Sequence, residues 1–131
     1  MKPCQKMWLL LIGILALAGC QPQEGSESAA RQYLAAEMQK WMTNQETAAR
    51  PHLYHALPPL SYTIESVLPT TPSGFAHDKL PLPENTEGWP AYQFNGSLQL
   101  LTEAKTSREQ VQRYRLTWSP PEKRWFLDEV R

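Results

Sequence analysis

The stretch QVQRYRLTWSPPEKRWFLDEV, residues 110–130, has the pattern of a complete β-hairpin. Apolar and polar residues alternate on both sides of Pro120-Pro121-Glu122-Lys123, and prolines beside polar residues favour a turn. We therefore predict strands at 110–119 and 124–130, joined by a four-residue turn. This register places two large apolar pairs on one face of the sheet: Trp118 opposite Trp125, and Leu116 opposite Leu127.

The other face of this hairpin carries charged residues. The same register places Arg115 opposite Asp128, where we expect a cross-strand ion pair. If Asp128 pointed inward instead, between Phe126 and Val130, it would be a candidate acid with a perturbed pKa. The register favours the outward, structural role.

Two further strands precede the hairpin. Apolar residues alternate in 60–68 (Leu60, Tyr62, Ile64) and again in 91–101, with Gly96 in the middle of the second segment. The apolar faces match only if the loop before the hairpin has an odd length, so we predict three or five residues there. Gly96 should then lie opposite Leu116 or Trp118, at a bend or bulge with a large side chain across it. A tight turn at Asn95-Gly96 is the alternative, but the continuous alternation favours one strand.

A helix is predicted before the strands. Ser26 or Ser28 is a suitable N-cap, and apolar residues recur at helical spacing up to about Ala49, before Pro51. The predicted core face contains Ala30, Leu34, Met38, Trp41 and Ala48. The segment 69–90 holds five prolines and lacks periodicity, so we predict a long loop that is either functional or poorly ordered.

Together these elements predict an α+β fold, with one N-terminal amphipathic helix packed on a four-stranded antiparallel sheet. The element order and the closing Trp-rich hairpin resemble the small cystatin-like and NTF2-like folds. No residue motif carries this resemblance, so no site is transferred from those families, which host many unrelated functions.

The N-terminus has the features of a signal peptide. Lys2 and Lys6 precede thirteen uncharged, mostly apolar residues, 7–19, which are too few for a bilayer span of about 20 residues. One possible cleavage follows Ala16-Leu17-Ala18, an A-x-A pattern, and would leave Cys20 as a free thiol. The other lies between Gly19 and Cys20.

The second alternative is favoured because Leu17-Ala18-Gly19-Cys20 resembles the lipobox of bacterial lipoproteins at all four positions. The resemblance implies that Cys20 becomes the acylated first residue of the mature protein. Gln21 stands where Asp usually retains Gram-negative lipoproteins at the inner membrane, so the outer membrane is implied. The predicted organisation is a signal peptide at 1–19, a lipidated tether at 20–26 and a single domain at 27–131.

Removal of the signal peptide changes the charge and the cysteine count. The chain has 13 basic and 13 acidic residues, and the loss of Lys2 and Lys6 leaves 11 basic residues. No basic patch points to nucleic acid. Cys4 is lost with the signal peptide, so Cys20 remains alone and no internal disulfide is expected.

Candidate sites elsewhere are sparse. His52 and His55 resemble half of a metal site, for which His77 is the candidate third ligand if it lies near them in space. Zinc needs three or four oriented ligands, and we predict no metal. No catalytic motif is present, and we predict neither enzymatic activity nor a cofactor. Three aromatic residues in loops are candidate contacts for a partner or ligand, if they do not simply hold those loops on the core: Tyr54, Phe75 and Trp89.

These observations predict a lipoprotein on the periplasmic face of the outer membrane. It would be held by the acyl chains on Cys20 and act as a binding or accessory subunit of an envelope or secretion assembly. The alternative is a small-ligand-binding module with a pocket between helix and sheet, lined by Trp41, Tyr92 and Trp118.

Overall fold

The computed structural model describes residues 22–50, 57–72, 82–83 and 85–130. These form an α+β fold with a single helix and a four-stranded antiparallel sheet of strand order β1-β2-β3-β4. The elements follow one another along the chain: α1 (Glu27–Met42), β1 (Ser61–Thr70), β2 (Ala91–Leu101), β3 (Ser107–Ser119) and β4 (Arg124–Val130). The predicted fold class and strand number are confirmed.

Helix α1 begins where predicted and ends early. The Oγ of Ser26 accepts a hydrogen bond from the Ala29 amide, so Ser26 is the N-cap. The helix ends at Met42, and the prediction that it continues to about Ala49 is wrong. Asn44 adopts a left-handed conformation (φ 60°), a conformation that Asn tolerates better than most residues. The amides of Asn44 and Gln45 bond the carbonyls of Trp41 and Lys40, which is a Schellman motif.

The β3–β4 hairpin has the predicted register. Trp118 lies opposite Trp125, Leu116 opposite Leu127 and Arg115 opposite Asp128. The turn at 120–123 closes with a hydrogen bond from the Lys123 amide to the Ser119 carbonyl at 2.7 Å. Asp128 is therefore on the face opposite Leu127, as predicted. The ion pair between Arg115 and Asp128 stays a prediction.

The β2–β3 hairpin confirms the odd loop length but corrects one pairing. Leu101 pairs with Ser107, so the loop at 102–106 has five residues. Because β3 begins at Ser107, the predicted partners of Gly96 are wrong, and Gly96 lies opposite Gln112. On its other side Gly96 pairs with Ile64, where the register of β1 shifts by a bulge.

Gly96 allows a close approach between strands β1 and β2. A Cβ at this position would lie 2.2 Å from the Thr63 carbonyl oxygen and 2.8 Å from the Tyr62 hydroxyl. The large side chain expected across the glycine is therefore Tyr62 of β1 rather than a residue of β3. The strand runs through Asn95-Gly96 without a turn, as predicted.

The core lies between α1 and one face of the sheet. The predicted helix residues Ala30, Leu34, Met38 and Trp41 are buried, but Ala48 is exposed because the helix has already ended. Ala49 takes its place, fully buried. The sheet contributes Phe94, Leu98, Tyr114, Leu116, Trp125 and Leu127 to the same cluster.

Candidate binding groove and the polar network behind it

An open, shallow groove of about 460 Å³ lies between the first turns of α1 and the end of the β3–β4 hairpin. We call it the Trp118 groove. Its lining residues come from the segment before the helix, from α1 and from both strands of the hairpin: Pro22, Glu24, Ala29, Gln32, Tyr33, Trp118 and Trp125. The groove therefore combines aromatic surface with one carboxylate and one amide on an open face of the domain.

The segment before α1 is packed against the sheet. The Tyr92 hydroxyl donates a hydrogen bond to the Gly25 carbonyl at 2.8 Å. Gly25 is buried, has φ 76° and leaves so little space that a Cβ would lie 3.0 Å from the Trp118 ring. The Trp118 amide donates to the Pro90 carbonyl at 2.9 Å. Residues 24–26, within the predicted tether, thus contact the domain directly.

The aromatic side chains at the groove contact one another. The rings of Trp118 and Trp125 have centroids 5.2 Å apart, and Tyr92 lies 6.2 Å from Trp125. Trp125 is only 7% exposed, so it forms the floor, whereas Trp118 is partly exposed. Such tilted contacts are favourable for aromatic pairs and stabilise the packing of these rings.

The charges around the groove are mixed. The ammonium of Lys123 lies 3.5 Å from the carboxylate of Glu24, and both side chains are largely exposed. An exposed pair of this kind contributes little to stability. The pKa of Tyr33 is raised by burial and by the negative charge of Glu37, while Arg124 acts in the opposite direction. Tyr33 is therefore a neutral hydroxyl at physiological pH.

A second group of polar residues lies on the sheet beside the segment that follows α1. We call it the tyrosine network, formed by Tyr62, Gln112, Tyr114 and Glu129. The Tyr114 hydroxyl donates to the Ala49 carbonyl, and the Tyr62 hydroxyl donates to the Gln112 carbonyl at 3.4 Å. The Gln112 side-chain amide donates to the Glu129 carboxylate at 2.6 Å. The network links β1, β3 and β4 to the segment that follows the helix.

Burial determines the protonation of both tyrosines. It raises the pKa of Tyr62 to about 12, and the Glu65 carboxylate adds to the effect. The pKa of Tyr114 is also raised, first by burial and then by Tyr62 and Glu129. The two rings meet edge to face at 5.8 Å. Both hydroxyls are therefore neutral hydrogen-bond donors, which suits a structural role better than proton transfer near neutral pH.

Glu37 connects the helix to this network. Its carboxylate accepts hydrogen bonds from the Ala48 amide at 2.8 Å, from the Thr47 hydroxyl and from the Lys40 ammonium. Burial is the largest influence and would raise the pKa of Glu37, but these hydrogen bonds together hold it below its ordinary value. The buried charge thus fixes the segment whose Ala49 carbonyl Tyr114 binds.

The residues predicted to line a ligand pocket do not converge. Trp118 lines the Trp118 groove, but Trp41 is 1% exposed in the core, and the Tyr92 hydroxyl is bonded to Gly25. Trp89, a predicted contact residue, is half-buried, and its amide donates to the Thr86 carbonyl at 3.1 Å. Its neighbour Pro90 binds the Trp118 amide, which places Trp89 near this end of the sheet without making it part of the groove lining.

The other predicted site residues lie outside the described residues. This applies to the cleavage and lipidation site at Gly19 and Cys20, to the contact candidates Tyr54 and Phe75, and to His52, His55 and His77. Within the described ranges, no three His, Cys, Asp or Glu side chains are grouped so as to hold a metal ion. No helix there combines the length and apolar character needed to cross a bilayer.

Several groove residues were not anticipated from sequence. Pro22 and Glu24 belong to a short polar stretch that is typical of a tether, and Gln32 carries no apolar signal. Of these groove residues, Tyr33 carries a signal in the sequence, because a helical spacing of four residues places it on the same side as Ala29. Gly25 just before a Ser N-cap was a further hint of a close approach.

Comparisons with protein families, with curated protein sequences and with solved structures find no match to this chain.

Proposed function

We propose that this protein is a lipoprotein anchored through Cys20 to the periplasmic face of the outer membrane. Its domain acts there by binding, as an accessory subunit of a cell-envelope or secretion assembly. In this proposal α1 is the N-terminal helix of the mature protein, since only residues 20–26 precede it. The observation that carries the proposal is the Leu17-Ala18-Gly19-Cys20 sequence after a short apolar segment.

The packing of the first described residues supports this assignment. Gly25 is buried against Trp118, and Pro22 lines the groove, so the folded domain begins within a few residues of the lipidation site. A protein held this closely works on partners at the membrane surface. Two or more acyl chains would hold it firmly, whereas a single chain binds membranes only marginally.

The anchor is tested by replacing Cys20 with Ser. We expect Cys20→Ser to abolish incorporation of labelled fatty acid and to release the protein into the soluble periplasmic fraction. Cys4→Ser is the matched control, because this thiol lies in the signal peptide and its loss should leave labelling intact. Fatty-acid labelling that persists in Cys20→Ser would show that the lipobox assignment is wrong.

The membrane assignment has its own test. Gln21→Asp should redirect the lipoprotein from the outer to the inner membrane, as measured by density-gradient separation of the two membranes. Gln21→Asn, which keeps a neutral amide, is the control. An identical distribution of the two variants would remove the support that Gln21 lends to outer-membrane localisation.

The partner hypothesis is tested by crosslinking in cells. A photoreactive amino acid at Trp89 should give a discrete adduct with an envelope protein, while the same group at exposed Glu103, in the β2–β3 loop, should give much less. The same photoreactive amino acid at Tyr54 or at Phe75 extends the test to the other two candidate contact residues. The same diffuse adducts from every position would argue against a specific contact at these aromatic residues.

A small-ligand-binding module is the second candidate function, and the Trp118 groove favours it. An aromatic floor beside the Glu24 carboxylate and the Gln32 amide suits a flat or ring-shaped polar ligand. Titration of the purified protein with a panel of small molecules, followed by tryptophan fluorescence, tests it. A ligand that no longer binds after Gln32→Ala, but still binds after exposed Glu103→Ala, would establish this function.

A further inference from the structure

One residue that lines the Trp118 groove is close in sequence to the predicted lipid anchor. Pro22 lines the groove, and Cys20 is only two residues before it. Two residues span at most about 7 Å even when fully extended. Cys20, which would carry the acyl chains, would therefore lie within about 7 Å of Pro22, whatever path residues 20–21 take.

From this spacing we propose that the groove end of the domain rests on the lipid headgroups of the membrane that holds the anchor. This inference depends on the proposed lipidation of Cys20. The occupant of the groove is then the headgroup region of the bilayer rather than a soluble ligand. The domain keeps one orientation, with the 120–123 turn towards the membrane and the 102–106 loop away from it.

The chemistry of this end fits a membrane interface. Trp118 and Tyr33 are partly exposed, and Trp and Tyr favour the boundary between headgroups and acyl chains. Lys123 and Arg124 are exposed beside Glu24 and Glu122, so the charges nearly balance. The contact is thus expected on neutral as well as anionic headgroups, because the short connection to the acyl chains keeps the two surfaces together.

The two ends of strand β3 provide matched positions at which this orientation can be measured. The turn at 120–123 and the loop at 102–106 lie at opposite ends of β3, which has 13 residues. At about 3.3 Å per residue these ends are about 40 Å apart. Each turn carries an exposed glutamate, Glu122 and Glu103, so the same label can be attached at matched positions.

The experiment uses the lipidated protein in vesicles of phosphatidylethanolamine and phosphatidylglycerol. Glu122→Cys and Glu103→Cys are each labelled with an environment-sensitive fluorophore, and quenching by a nitroxide on the lipid headgroup is measured. We expect several-fold stronger quenching at position 122 than at position 103. Equal quenching at the two positions, or stronger quenching at position 103, would overturn the orientation.

Two controls separate the orientation from the anchor. The mature wild-type protein should not react with the thiol reagent, because Cys20 is acylated; labelling of Cys20 would overturn the anchor and this inference together. A flexible insertion of ten residues between Gln21 and Pro22 adds a reach of about 30 Å. We expect it to reduce quenching at position 122 to the level at position 103, and unchanged quenching would overturn the role of the short connection.

Discussion

The Trp118 groove and the tyrosine network both join α1 and its flanking segments to the sheet, but with different kinds of contact. At the groove, a buried glycine brings the backbone against Trp118, and the Tyr92 hydroxyl donates to the Gly25 carbonyl. The ion pair there, between Lys123 and Glu24, is exposed. At the network, the buried Tyr114 hydroxyl donates to the Ala49 carbonyl of the segment after the helix. The neighbouring Glu37 carboxylate, also buried, accepts from the Ala48 amide of the same segment.

This difference has consequences for stability and for function. Apolar contacts are non-directional and tolerate small shifts, whereas a buried polar group that loses its partner costs free energy. The loss of a polar partner should therefore cost more free energy in the network than at the groove end, where the hydrogen-bonded Tyr92 is partly exposed. The predictions below test that contrast.

The largest effect is expected at Gly96, beside the tyrosine network. A methyl group there would collide with the Thr63 carbonyl, a backbone atom that cannot rotate away. We expect Gly96→Ala to lower the free energy of unfolding by about 3 kcal/mol, the upper part of the range for overpacking. Urea unfolding followed by circular dichroism measures this. A loss below about 1 kcal/mol, typical of an ordinary substitution, would contradict the close approach of β1 and β2.

Gly25, which packs on Trp118 of the groove, and Gly88, outside the groove lining, allow a matched comparison. Gly25 and Gly88 both have positive φ (76° and 80°), so Ala at either position adopts a left-handed conformation that costs about 1–2 kcal/mol. At Gly25 the new methyl also meets Trp118 and Pro90, whereas at Gly88 it meets nothing within 4 Å. We expect Gly25→Ala to lose about 1 kcal/mol more than Gly88→Ala. Equal losses would mean that the segment before α1 is not packed on Trp118.

Removing one tyrosine hydroxyl from each region compares the stability that their polar contacts contribute. Tyr114→Phe removes a buried donor from the Ala49 carbonyl and should cost about 2 kcal/mol. Tyr92→Phe removes a bond to the Gly25 carbonyl from a partly exposed ring and should cost less than about 1 kcal/mol. The same unfolding measurement ranks them. The reverse order would indicate that the groove, rather than the network, depends on buried hydrogen bonds.

The smallest expected effect is the contribution of Glu37 to the pH dependence of the free energy of unfolding. Its pKa is lowered in the folded protein, so its charge stabilises the fold above the unfolded-state value, ordinarily 4.5, and this contribution is lost as the pH falls through the folded-state value. Glu37→Gln should therefore show a weaker loss of stability between neutral pH and the acid range than the wild type. Glu103→Gln, at an exposed position, should behave like the wild type. A pH dependence unchanged in Glu37→Gln would contradict the role of this carboxylate.

The two hairpins differ in how much of their geometry the sequence predicts. The β3–β4 hairpin was predicted with its register, because strict alternation and a proline turn leave one pairing that keeps both tryptophans on one face. The β2–β3 loop was predicted only as odd in length. Its threonines and charged residues did not show that β3 begins at Ser107, and the error moved the predicted partner of Gly96.

The groove was predictable only in part. Trp118 was expected near a pocket, but the contribution of Pro22, Glu24 and Gly25 depends on how the chain before α1 returns to the sheet. A short polar segment has the same composition whether it is packed or free. The early end of α1 was missed for a related reason, since the helical spacing continued past Asn44 and only the capping hydrogen bonds ended the helix.

By itself, the sequence determined the α+β class, the number of strands and the register of the last hairpin, and it limited the N-cap of α1 to Ser26 or Ser28. Alternation, turn residues and capping act over a few neighbouring positions. Only the tertiary structure decided that Tyr62 covers Gly96, that Tyr114 binds Ala49 and that Gly25 packs on Trp118. Those contacts join residues far apart in the chain. Their geometry depends on the packing of all elements at once, which no local pattern contains.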